Sequence, residues 1–131
     1  ERSAKGGVAF KVGPVLALTY DAANKRIVAG GNGLQVRESA GQMHNLAGGR
    51  TLVRSLTVLP HSKLILAGCH DGVLRVFSLV DFSMKKECVG HQGAILGVVA
   101  GKDEKVAWTS GSARRSVASR WMRRSWSLLV M

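Results

Sequence analysis

The sequence predicts an all-β fold of short antiparallel strands, and three observations carry that prediction. Similar segments recur around Leu18, Leu56 and Val98, at offsets of 38 and 42 residues. A repeat of about 40 residues indicates units that stack, because one unit cannot bury its own apolar face. Asn-Gly and Asp-Gly dipeptides, which favour tight hairpin turns, separate β-rich runs. No helical pattern of convincing length precedes the C-terminal segment.

The first repeat predicts four strands joined by turns. Asp21 and Asn24 cap turns with their own side chains and mark the first turn. Asn32-Gly33 marks a tight hairpin between the second and third strands. The predicted strands cover residues 14–20, 26–30, 34–38 and 42–46.

The second repeat is the best formed. Its second strand, residues 64–69, is a nearly continuous apolar run, which is typical of a strand buried on both faces. Asp71-Gly72 is the hairpin signal that follows it, and the next strand alternates as a half-buried strand does. The predicted strands cover residues 53–59, 64–69, 73–77 and 84–89.

The third repeat predicts strands at 95–100 and 105–110 and then departs from the pattern after Ser112. Ala113-Arg114-Arg115 stands where the second repeat has its Asp-containing turn, and residues 116–121 form a weaker third strand. The predicted organisation is a lead-in at 1–11, repeats at 12–49, 50–89 and 90–122, the last degenerate, and a basic and apolar tail at 123–131.

These motifs resemble the WD-repeat β-propeller family over about residues 12–121. Residues 64–78 follow the family pattern well, with Phe77-Ser78 where the family has Trp-Asp. The third repeat opens with the family's Gly-His pair, Gly90-His91, and closes with Trp121-Met122. The resemblance implies antiparallel β-propeller blades, about three in number, in an incomplete ring.

The resemblance also implies a structural hydrogen-bond network of His, Ser or Thr, Asp and Trp within each blade. The residues that match it in this chain are Asp71, His91, Thr109 and Trp121. They are divided between two repeats: Gly48-Gly49 replaces the Gly-His pair before Asp71, and Arg114 or Arg115 replaces the Asp of the third repeat. Blades with incomplete networks are expected to be less rigid than the family norm.

The charge of the chain is strongly basic, +11 at pH 7 over 131 residues. The C-terminal segment interleaves arginine with tryptophan and contains no acidic residue. It could be a solvated end of the last strand, pair with RNA phosphates while its rings stack on bases, or lie on an anionic membrane. The candidate anion- or partner-binding residues are Arg114, Arg115, Arg120, Trp121, Arg123 and Arg124.

Several classes of protein are disfavoured. No apolar run approaches the about 20 residues of a transmembrane helix. Two cysteines are too few for a disulfide framework, which suggests an intracellular, cytoplasmic protein. Cys69, His70, Cys88 and His91 make a poor zinc set, because adjacent strand residues point to opposite faces. No catalytic residue, cofactor or metal is predicted.

The expected function is therefore a non-catalytic scaffold for protein–protein interaction, acting through loops at 21–25, 60–63 and 101–105 or through the opposite turns near Asn32, Asp71 and Arg114. Nucleic-acid association through the basic tail and an accessory role in a larger enzyme are the alternatives. Propellers close with about four to eight blades, so further blades or self-association are expected. The chain begins at Glu1, which suggests a piece of a longer protein.

Overall fold

The computed structural model describes residue 10 and residues 12–89, 93–102, 104, 106–111, 116–122 and 125–130. These residues form strands and turns, as the sequence predicts, and hold no helix that could span a membrane. The strands are β1 (Ala17–Asp21), β2 (Arg26–Glu38), β3 (Met43–Leu59), β4 (Leu64–Cys69), β5 (Val73–Ser78), β6 (Met84–Val89), β7 (Ile95–Ala100), β8 (Val106–Gly111), β9 (Ser116–Met122) and β10 (Ser125–Val130).

The strands pair as antiparallel meanders. The first sheet has the order β1-β2-β3-β4-β5-β6 and the second the order β10-β9-β8-β7, so within each sheet every strand pairs with its neighbours in sequence. Strand β3 serves two partners, because its first half pairs with β2 and its second half with β4. The all-β, antiparallel fold predicted from the sequence is confirmed.

The sequence repeat is also a repeat of backbone pairing. The hairpins β1–β2, β3–β4 and β7–β8 have the same register at the same offsets. Equivalent pairs are Leu18–Ala29, Leu56–Ala67 and Val98–Thr109. The β4–β5 pairing, with Gly68 opposite Leu74, recurs in β8–β9, with Ser110 opposite Ser116. The third repeat therefore keeps its strand pairing where its sequence departs from the pattern.

The first repeat differs from the sequence prediction at its hairpin. The structure has a single element, β2, where two strands and a turn at Gly31–Gly33 were expected. The Asn32 N–H donates to the Val12 carbonyl at 2.7 Å, so strand-like bonding continues through the expected turn. The turn survives as an irregularity: Gly33 has φ +104°, and the pairing with β3 shifts register there.

Two apolar cores lie on opposite sides of β4. Leu64 and Leu66 belong to the core shared with the third repeat, which contains Ile95 and Val98. Ile65, Ala67 and Cys69 belong to the core shared with the first repeat, which contains Val28, Val36 and Val53. All six residues of β4 are buried, which confirms the strand buried on both faces.

Glycine lets the repeats approach closely. A Cβ added to Gly68 would clash with the Ser55 hydroxyl of the paired strand, and it would lie 2.6 Å from Ile95 Cγ2 and 3.0 Å from Val98 Cγ2, both in the third repeat. Gly30 stands at the equivalent position, where a Cβ would lie 2.6 Å from Val53 Cγ1. The Ser55 hydroxyl adds a bond to the Ile95 carbonyl at 3.3 Å. The stacking of neighbouring repeats thus depends on two glycines.

Candidate functional site

A cleft of about 410 Å³ lies between the β3–β4 turn and the β7–β8 turn. Its lining comprises Thr57, Val58, Leu59, Pro60, His61, Ala100, Gly101, Lys102 and Glu104. These turns are two of the three loops that the sequence analysis placed on one face. The third, between β1 and β2, occupies the equivalent end of its hairpin. The cleft is the candidate site, and "turn cleft" denotes it below.

Glu104 fixes the floor of the turn cleft. Its carboxylate accepts hydrogen bonds from the backbone N–H groups of His61 at 2.9 Å and Ser62 at 2.6 Å. Burial raises the pKa of Glu104, but the bonds from His61 and Ser62 outweigh it and hold that pKa below its usual range. The charged carboxylate therefore ties the two turns together at neutral pH.

The backbone of these turns contains left-handed residues. Glu104 has φ +59°, and Lys63 and Lys25 have φ +56° and +55° at the ends of their own turns. An L-residue in this region costs roughly 1–2 kcal/mol, and the surrounding structure must hold it there. At Glu104 the hydrogen bonds from the His61 and Ser62 N–H groups supply that constraint, so they hold this residue in its left-handed conformation.

The turn cleft offers a mixed surface. Pro60, His61 and Lys102 are exposed at its rim, while Leu59 is buried beneath. Both oxygens of Glu104 are already engaged by backbone donors, which makes this carboxylate a structural group. The rim can donate hydrogen bonds and cover apolar groups, which suits a polypeptide segment.

The opposite edge of the second repeat holds a charged cluster around Arg75. Arg75 donates to Asp71 at 2.8 and 3.1 Å and to Glu87 at 2.9 Å. Asp71 also accepts the Val73 N–H at 3.2 Å. The bonds from Arg75 hold the pKa of Asp71 below its usual range. Asp71, predicted for the WD-type network, thus binds Arg75 and the following backbone.

A second polar cluster, missed by the sequence analysis, joins the first repeat to the second. Arg26 is buried and pairs with Asp21 at 3.1 Å. It also donates to the Leu79 carbonyl at 3.3 Å and lies 5.5 Å from the centre of the Phe82 ring. His44 stacks on the same Phe82 ring, with the two ring centres 4.2 Å apart. The sequence holds one indication of this cluster: Arg26 stands at the start of a largely apolar strand, where a buried arginine needs an acidic partner.

The remaining predicted residues are placed as follows. Thr109 is buried in β8. Arg120 and Trp121 lie in β9, where Trp121 is opposite Trp126, and their side chains are outside the described part. His91, Arg114, Arg115, Arg123 and Arg124 lie outside the described residues.

The two cysteines, Cys69 and Cys88, are buried and not joined by a disulfide. Burial raises the pKa of Cys69 to about 11 and raises that of Cys88 as well. Within the described part of the chain, no three His, Cys, Asp or Glu side chains gather as a metal site.

Among the known proteins compared with it, no family model and no curated sequence matches the chain. The WD-repeat family therefore stands as a resemblance.

Proposed function

We propose that this chain is a non-catalytic protein-binding platform built of WD-repeat-like β-propeller blades, and that the turn cleft receives a segment of its partner. The observation that carries the proposal is the double hydrogen bond from the turn of the second repeat to Glu104. It holds two adjacent loops in one geometry, and preorganised loops lose less entropy when they bind.

The repeat architecture supports the same proposal. Three hairpins of equal register present equivalent turns, so loops of different sequence stand on a common frame. Binding residues are commonly found on loops that a rigid scaffold positions. Two buried cysteines that are not joined by a disulfide favour an intracellular, reducing compartment for this platform.

The test compares capture of protein partners from a cell extract by the chain and by variants. His61→Asp and Lys102→Glu alter the exposed rim of the turn cleft, and Lys85→Glu is the matched control on β6. We expect the rim variants to weaken capture of a specific protein about tenfold or more, the size of a 1.4 kcal/mol loss, and the control to leave capture unchanged.

Two outcomes would contradict the proposal. Equal loss in the rim variants and in Lys85→Glu would show that charge alone causes the capture. Loss of all capture after nuclease treatment would favour the alternative prediction from the sequence, nucleic-acid association through the arginine-rich tail, whose affinity falls steeply with salt.

A further inference from the structure

The two ends of the repeat stack have apolar faces whose internal counterparts are buried. The "rear face" comprises Val15, Leu18 and Tyr20, on and beside β1. The "front face" comprises Val99, Trp108 and Ser110, on β7 and β8. Positions equivalent to both faces meet inside the chain, where the first repeat packs on the second and the second on the third. Inside the chain, a face of the front type therefore packs against a face of the rear type.

The rear face is exposed only in the first repeat. Val15 is 47% exposed, whereas Val53 and Ile95, at the equivalent positions, are fully buried against the preceding repeat. Leu18 is 64% exposed, whereas Val98 is 7% exposed. Val15, Leu18 and Tyr20 are therefore large apolar or aromatic side chains that the described part of the chain covers only in part.

The front face shows the reciprocal pattern in the third repeat. Val28 and Leu66 are fully buried against the following repeat, but Trp108 at the same position is 46% exposed. Val99, opposite Trp108 in the pairing of β7 with β8, is also exposed. A shallow depression of about 250 Å³ lies around these residues. It is open to an apolar side chain from a neighbour.

On the front face, the position equivalent to Gly30 and Gly68 is again occupied by a small residue, a serine in place of glycine. Ser110 stands where Gly30 and Gly68 let the internal repeats meet. Its cross-strand partner is Gly97, whereas the partner of Gly68 is Ser55. The pair still consists of one glycine and one serine, with their strands exchanged. The face thus keeps a small-residue pair where a neighbouring sheet comes near.

We propose that the front face of one copy of this chain packs on the rear face of a second copy, and that the second copy returns the same contact. This head-to-tail arrangement uses two different faces, and such contacts form rings when the rotation closes. Two copies of three repeats give six, within the range of four to eight for closed propellers. The ring geometry rests on the propeller proposed above.

Charge gives the association a distinctive salt dependence. Each copy carries +11, so two copies repel each other at low ionic strength. Salt screens this repulsion and leaves the apolar contacts intact, so the association should tighten as salt rises. Binding to phosphates would weaken under the same change. The direction of the salt effect therefore separates the two kinds of association.

Sedimentation equilibrium tests the proposal with four chains. The unmodified chain is expected at about 28 kDa, twice its mass of 14.0 kDa. Leu18→Asp disables the rear face and Trp108→Asp the front face, so each variant alone should sediment as a monomer. An equimolar mixture should form a dimer that is weaker than the parent dimer, because the intact front face of Leu18→Asp meets the intact rear face of Trp108→Asp while the second contact joins the two altered faces. Val80→Asp, at a 70% exposed loop residue, is the control and should remain dimeric.

Several results would overturn the proposal. A monomer at every concentration and salt would mean that a different occupant, such as further repeats of a longer chain, covers these faces. A dimer of Trp108→Asp alone would indicate contact between two rear faces, and open-ended polymers would exclude ring closure. Circular dichroism checks that each variant stays β-rich, and Tyr20→Asp replaces Leu18→Asp if that variant unfolds. Partner capture at the turn cleft is measured separately, so either proposal can fail alone.

Discussion

The carboxylate of Glu104 accepts a 2.9 Å hydrogen bond from the backbone N–H of His61, which lies 43 residues earlier in the chain. This bond crosses from the third repeat to the second and ends in a turn that has no other acidic group facing it among the described lining residues. The geometry of the turn cleft therefore depends on a single ionised side chain.

Replacement of that side chain should loosen the turn cleft. Glu104→Gln leaves one backbone N–H without an acceptor, so we expect the free energy of unfolding to fall by about 1–3 kcal/mol in urea titrations at pH 7. The control is Glu87→Gln, which removes an exposed carboxylate paired with Arg75 and should change stability by less than about 1 kcal/mol. Equal effects would contradict a structural role for Glu104.

The same carboxylate predicts a pH effect. Because the folded-state pKa of Glu104 lies below its usual 4.5, ionised Glu104 stabilises the fold above that pH. The contribution is lost as pH falls through the folded-state pKa. Urea titrations between about pH 5 and 2 cover the range in which carboxyl groups titrate. Over this range the free energy of unfolding should fall more steeply for the parent chain than for Glu104→Gln. Parallel curves would exclude the linkage.

The buried Arg26–Asp21 pair should be sensitive to loss of one partner. Arg26→Ala leaves the Asp21 carboxylate buried without its cation, and removal of one partner from a buried pair costs about 3–5 kcal/mol. The additional change Asp21→Asn removes the stranded charge and should recover part of this loss. Urea titration of the single and double variants measures both steps. A double variant that is less stable than Arg26→Ala would contradict the explanation.

Any side chain larger than hydrogen at position 68 should destabilise the fold. In Gly68→Ala the new Cβ meets the Ser55 hydroxyl of the paired strand as well as Ile95 of the next repeat, so we expect a loss of about 1–3 kcal/mol from overpacking. Ser110→Ala is the matched control, because Ser110 occupies the same register position, already carries a Cβ and is exposed. Thermal unfolding followed by circular dichroism compares them. Similar midpoints would mean that the repeats can separate without cost.

Cys69 should be unreactive while the chain is folded. Burial raises its pKa to about 11, so almost no thiolate exists at pH 8. Iodoacetamide followed by mass spectrometry should find Cys69 unmodified in native buffer and alkylated in concentrated urea. Rapid alkylation in native buffer would show that β4 is more accessible than its burial indicates.

Residues 64–69 were predictable because local pattern decides their state. A six-residue apolar run between turn signals is too short for a typical helix and favours a strand in the centre of a sheet, and β4 is buried throughout. The common register of the three hairpins was likewise implicit in the repeated spacing between Leu18, Leu56 and Val98. Periodicity carries this information without knowledge of distant contacts.

Glu104 and Arg26 could not be predicted because their roles depend on residues far away in sequence. Glu104 belongs to an ordinary acidic turn until the turn at His61 approaches it. Arg26 acquires its partner at Leu79 only after the second repeat packs on the first. The single element β2 likewise depends on the Val12 carbonyl, which a local hairpin signal does not include.

Strand β3 has a consequence for how the molecule comes apart. Its 17 residues close the first repeat and open the second, so the sequence boundary at 49–50 falls inside one continuous strand. Opening of the whole strand breaks ladder bonds in both repeats, because its first half pairs with β2 and its second half with β4. Amide protons of β2 and β4 should therefore exchange through a shared opening event, and a cut at the boundary would fray both repeats instead of liberating one.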